Sequence, residues 1–138
     1  MTHSPRRTLI LVLASALVLA ACLAQPLPAV PTGAADFAEF CASCHGASGM
    51  GTGELATTLS ERPANLTTLS LRHGGTFPTT AVMAKIWGYT GGRGGTVMPN
   101  FGPLLDSNMI PYDGGDGIMT PTPIRLVQIA EHLKTLQR

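Results

Sequence analysis

Charge is scarce in this chain, where Asp, Glu, Lys and Arg together make up 12% of 138 residues and the formal net charge is +1. A nucleic-acid partner calls for a basic surface, and nothing here supports one. Lysine occurs only at Lys85 and Lys134. Long apolar runs are missing as well: "TLILVLASALVLAAC" near the N-terminus falls short of the roughly 18 residues expected of a membrane span. No internal repeat is evident. "GGRGG" at Gly91 to Gly95 has no strand before it, no helix after it and no closing Lys-Ser or Lys-Thr, so it reads as a flexible connection rather than a nucleotide loop. No nucleophile comes with a base and a third orienting group. The length suits one domain with a core.

What is present begins with Arg6 and Arg7 ahead of that short apolar run, the pattern of an export signal. The flanks "SPRRTLI" fit twin-arginine export poorly, so the Sec route is expected. "LAAC" at Leu19 to Cys22 resembles the bacterial lipobox, which implies a diacylglyceryl group on Cys22 as the mature N-terminus. The competing reading is an ordinary cleaved signal with Cys22 discarded or free. Residues 1–21 are thus read as signal peptide and the protein as exported, lipid-anchored on the periplasmic side of a membrane; Leu23 after Cys22 would by family habit permit transfer to an outer membrane. Loss of Arg6 and Arg7 leaves seven basic against eight acidic residues, close to neutral. Residues 22–33, with Pro26, Pro28 and Pro31, read as a tether spanning roughly 30 Å if extended. Residues 34–138 form the domain.

In that domain the spacing predicts a short helix over Ala34 to Phe40, with Phe37 and Phe40 on a shared face. A second is predicted over Thr80 to Trp87, ended by Gly88. The third and clearest is C-terminal: Thr122 as N-cap, Pro123 at the first position, then Leu126, Ile129, Ala130, Leu133 and Leu136 at helical spacing. Glycine- and proline-rich stretches, among them "PYDGGDG", read as loops. The expectation is an all-α domain of three or four short helices. So much loop buries little apolar surface, which argues for something besides side chains at the centre.

Cys41 and Cys44 lie in "CASCHG", with His45 directly after the second thiol. A structural disulfide is compatible with export but does not explain His45. A thioredoxin-like pair follows a buried strand, whereas "GAADFAEF" is helical. Structural zinc needs a fourth ligand, and only the isolated His73 and His132 are on offer. The remaining reading is covalent haem attachment, for which C-x-x-C-H is the signature. On one helical turn Cys41, Cys44 and His45 project to one face, so each thiol can bond the porphyrin edge while His45 reaches the iron. Haem is the expected cofactor.

A histidine on one side leaves the opposite face of the iron to another ligand. Met98, in "GGTVMPNFG" and stiffened by Pro99, is the first choice; Met109 is second and Met119 remains open, with ordinary packing as the competing role for each. Met50 is too near His45 to cross the haem, and Met83 suits the core. His73 reads as a loop histidine or a propionate neighbour, and Trp87 and Tyr89 as core aromatics or cofactor lining.

From Ala34 to Gln137 the chain resembles class I cytochrome c of the bacterial monohaem group, through "CASCHG", "GTGELA", "RPANLTTLS", "GGTFP", "MPNFG" and "IAEHLKTLQ" in that order. The resemblance implies a cytochrome c fold, one haem c held through thioethers by Cys41 and Cys44, His45 as proximal and Met98 as distal ligand. It also implies that the first and last helices cross, bringing Phe37 or Phe40 to Leu133. Two departures stand out. Glu54 replaces the proline whose carbonyl orients the proximal histidine in many relatives, so Pro63 or another nearby backbone group is left to do this. His132 stands where the family often has an aromatic, and is read as packed between helices or solvated rather than as a ligand.

The functional expectation is a one-electron carrier, not an enzyme, between a dehydrogenase or quinol-oxidising complex and an oxidase or reductase. With so few lysines, a small apolar patch at the haem edge is expected to do the docking. Two alternatives stand: a haem-based sensor binding a small ligand at an open iron, and a haem-free thiol-disulfide enzyme.

Overall fold

The structure, a computed structural model, describes residues 32–90 and 97–138. The export signal, Cys22, nearly all of the tether and the GGRGG connection lie outside the described residues. Helix α1 (Gly33–Phe40) opens earlier than the tether boundary suggested: the Thr32 hydroxyl accepts a hydrogen bond from the Ala35 amide and caps it. A second, one-turn helix, α2 (Ala42–His45), follows after Cys41. Then come a 3₁₀ turn (Leu66–Thr68) running into α3 (Leu69–Arg72), and α4 (Thr79–Trp87), which Gly88 ends in the left-handed conformation as expected. The last helix, α5, spans Ile124–Thr135.

Helices α1 and α5 pack along each other, and their contact holds most of the buried core: Phe37 and Cys41 from one side, Leu126, Ile129 and Leu133 from the other, joined by Ile86 and Leu105. The approach is close because Gly33 has no side chain. A Cβ there would sit 1.9 Å from the Gln128 carbonyl oxygen. A buried ion pair locks the same contact: Asp36, 1% exposed, accepts from Arg125 Nε at 3.1 Å and from Nη2 at 2.5 Å. Arg125 also donates to the Leu104 carbonyl at 2.7 Å, tying the preceding loop to the helix pair.

The domain is not all-α. Residues Met109–Asp113 and Met119–Pro123 form an antiparallel hairpin, β1 and β2, with Pro111 opposite Pro121. "PYDGGDG" is therefore a strand end and a tight turn rather than an open loop: the Asp113 carboxylate accepts from the Gly115 and Gly117 amides, and that of Asp116 from Ile118. The start of α5 is corrected with it. Thr122 belongs to β2 and donates to the Thr120 carbonyl, while the Ile124 amide donates to Asn108, so a paired strand replaces the expected side-chain cap. Tyr112 pins the hairpin to α5 by donating to Glu131 at 2.5 Å and accepting from Lys134 at 3.1 Å.

Candidate cofactor site

A cavity of about 440 Å³ lies between α1, α2, α4, α5 and the loop after residue 96. Cys41, Cys44, His45 and Met98 all line it. Its other walls are mainly apolar, with Phe37, Phe40, Val82, Ile86, Phe101 and Leu133 prominent. The volume falls in the range of pockets that bury small cofactors.

The turn that presents the thiols and His45 is held from outside by the strap around "GTGEL". Gly51 donates to the His45 carbonyl at 2.7 Å, Gly53 to that of Cys44 at 3.1 Å and Leu55 to that of Ser43 at 2.9 Å. Gly53 is needed for this, since a Cβ there would lie 2.2 Å from the Ser43 oxygen. On the ring side, His45 Nδ1 lies 2.9 Å from the Ala64 carbonyl oxygen. A carbonyl can only accept, so Nδ1 carries the proton and Nε2 keeps its lone pair, the tautomer a metal ligand requires. The carbonyl left open between Pro63 and its neighbours is thus that of Ala64, and Glu54 is exposed and does not line the cavity. Burial, which favours the neutral ring, holds His45 below the ordinary histidine range against the smaller opposing pull of the Ala64 bond.

Cys41 and Cys44 are both free thiols. Burial first, then the Asp36 and Cys44 charges, push the Cys41 thiol up to about 11. A redox-active pair needs the opposite, a thiolate stabilised near neutral pH, so the thiol-enzyme reading loses its physical basis. Among the described residues no group of three His, Cys, Asp or Glu gathers as a metal site, which likewise leaves zinc without support.

Of the methionines read as candidates for the far side, only Met98 lines the cavity. Its loop is anchored by the Phe101 amide donating to the Ile86 carbonyl at 3.1 Å and by the Asn100 side chain accepting from the Gly102 amide at 2.8 Å. Met109 and Met119 stand on the hairpin, 58% and 61% exposed, and do not line the cavity. Met83 packs against the core, as expected. His132 lies with its ring 5.3 Å from that of Phe37, between the helices. His73 does line the cavity, its Nδ1 2.8 Å from the Leu69 carbonyl oxygen, together with Arg62 and Lys85. Trp87 packs against the core and Tyr89 is exposed; neither lines the cavity.

Two thiols and a correctly protonated imidazole on one wall, with a thioether also on the lining, are the donor set of a covalently held haem. The fold and this site together define a c-type haem protein. A family profile described as Cytochrome c matches residues 30–112, and the chain belongs to that family. None of the curated proteins and none of the solved structures matches it. The protein is a c-type cytochrome, and its family, generally one of electron-transfer proteins, binds haem c covalently.

Proposed function

We propose that this protein is a class I, monohaem, one-electron carrier that faces the periplasm and is held at a membrane through a lipid on Cys22. In this reading Cys41 and Cys44 attach haem c through thioethers, His45 is the proximal ligand and Met98 the distal one. The observation that carries it is the convergence of these four side chains on one cavity, with His45 already oriented by Ala64.

Bound there, haem c supplies a one-electron Fe(III)/Fe(II) couple. The chain's own part is to hold, orient and dehydrate. Ala64 keeps His45 Nε2 free to donate its lone pair, and the soft sulfur of Met98 would hold the group from the lining opposite and favour its reduced state. Phe37, Phe40, Ile86 and Leu133 keep water away, disfavouring the more highly charged oxidised state in the same direction. With His45 and Met98 both holding the haem, the iron would be closed to substrate, and the protein would shuttle electrons between a dehydrogenase or quinol-oxidising complex and an oxidase or reductase rather than catalyse a reaction.

The test is the visible spectrum of protein matured with a haem-attachment system, oxidised and reduced, before and after carbon monoxide. A low-spin spectrum unmoved by carbon monoxide is expected. In Met98→Ala the reduced protein is expected to bind carbon monoxide and the potential to fall. Rapid carbon monoxide binding by the unaltered protein would sink the carrier reading in favour of the sensor, and a Met98→Ala protein still ligated through sulfur would sink the distal assignment.

A further inference from the structure

The β1–β2 hairpin has one face that folding leaves largely exposed. Its register places Met109, Pro111, Asp113, Met119, Pro121 and Pro123 on one side, all exposed except Pro123, while Ile110, Tyr112, Thr120 and Thr122 alternate to the other, where Tyr112 bonds to α5. Met109, Met119 and the adjoining Ile118 are 58%, 61% and 62% exposed. The other exposed large apolar residues, Leu55, Leu71, Tyr89 and Leu104, are scattered along the chain. A contiguous exposed apolar face marks an interaction site.

We propose that this face seats a redox partner protein whose own docking patch is apolar and rimmed by lysine or arginine. The inference rests on the electron-carrier reading above. Charge selects the partner: from Val97 to Ile124 the chain carries Asp106, Asp113 and Asp116 and no lysine, arginine or histidine. Of the cations nearby, Arg125 is paired with Asp36 and Lys134 with Glu131, while Lys85 stands further along α4 on the cavity lining. Aspartates beside exposed apolar side chains are complementary to an apolar patch rimmed by cations.

Position makes the contact useful. Thr80 donates to the Gly114 carbonyl at 3.4 Å, which sets the hairpin turn against the start of α4, where Pro78, Ala81 and Val82 line the cofactor cavity. A protein seated at the hairpin turn therefore lies next to the α4 residues that wall that cavity.

The strand edges are not the contact. Proline has no N–H to give, so Pro111, Pro121 and Pro123 fit where that group would point away from the paired strand, and they blunt both edges against a further strand. A membrane is disfavoured by Asp113 and Asp116, which an anionic lipid surface repels. The prolines also stiffen the face before contact, which lowers the ordering cost of binding.

The experiment uses ¹⁵N-labelled, reduced, haem-loaded protein and, as probe, reduced mitochondrial-type cytochrome c, whose apolar haem edge is ringed by lysines. Amide shifts are expected at Met109, Tyr112, Ile118, Met119 and Ala81. Asp113→Asn with Asp116→Asn keeps the turn acceptors and removes both charges, and is expected to weaken binding roughly threefold to tenfold at low salt and little at high salt. Met109→Ser with Met119→Ser is expected to weaken it at all salt concentrations. Shifts confined to other surfaces, or unaltered binding in both variants, overturn the proposal. So do hairpin shifts that arise with anionic phospholipid vesicles but not with the probe, or that grow with the protein's own concentration in the absence of probe. Because the titration needs no electron transfer, a carbon-monoxide-insensitive spectrum without hairpin shifts overturns the docking site alone. Hairpin shifts with a carbon-monoxide-binding iron overturn the carrier reading alone.

Discussion

Cys41, Cys44, His45 and Met98, which line one cavity, stood out in the sequence because few other residues offer thiol, imidazole or thioether chemistry. Their supports did not. Ala64 serves through its carbonyl, a group every residue has, so no side chain advertises it. Asp36 and Arg125 lie 89 positions apart, and only folding brings them together. Removing Arg125 as Arg125→Met leaves the Asp36 carboxylate buried and unpaired, at an expected cost of about 3 kcal/mol or more. A chemical-denaturation midpoint checks this, with the haem spectrum unchanged. His132 offers a pH test. Burial beside Phe37 holds its ring below the ordinary histidine range, so the unfolded chain takes up the proton first as pH falls. Its contribution to stability is whole above that range and is lost as pH drops through it. Between pH 7 and 5.5 the melting temperature is expected to fall less for His132→Phe than for the unaltered protein.

Helices α1, α4 and α5 were readable from spacing because their buried faces repeat at the helical period: Phe37 in the first, Ile86 in the second, Leu126, Ile129 and Leu133 in the third. What brings α1 against α5 was not readable, since Gly33 looks like any linker glycine until Gln128 is placed beside it. Gly33→Ala is expected to force the helices apart and cost about 1–3 kcal/mol, seen as a lowered denaturation midpoint with His45 ligation intact. The hairpin escaped notice for a related reason. Three prolines argue against an interior strand, and only a two-stranded ribbon with both edges free accepts them at Pro111, Pro121 and Pro123.

At the scale of the whole molecule, the cofactor cavity borders the core, and Phe37, Ile86, Ile129 and Leu133 belong to both. A group held there would bury these apolar side chains further, in a domain whose own stability is marginal. Cys41→Ala with Cys44→Ala, which holds no covalent haem, is therefore expected to lose fixed packing around the cavity. Near-ultraviolet circular dichroism should collapse while part of the helical signal persists, and a native-like melt in that variant would contradict the view that the cofactor completes the core.

The sequence by itself determined the main helices and the C-x-x-C-H spacing that points to haem attachment, because these depend on residue type and on spacing within one or two turns. The tertiary structure alone decided that the Ala64 carbonyl meets His45, that Met98 and not Met109 or Met119 lines the cavity, and that residues 109–123 pair as a hairpin whose turn meets α4. Each of these depends on which distant segments meet. Local propensity carries no record of that, because burial and charge pairing across the chain settle it.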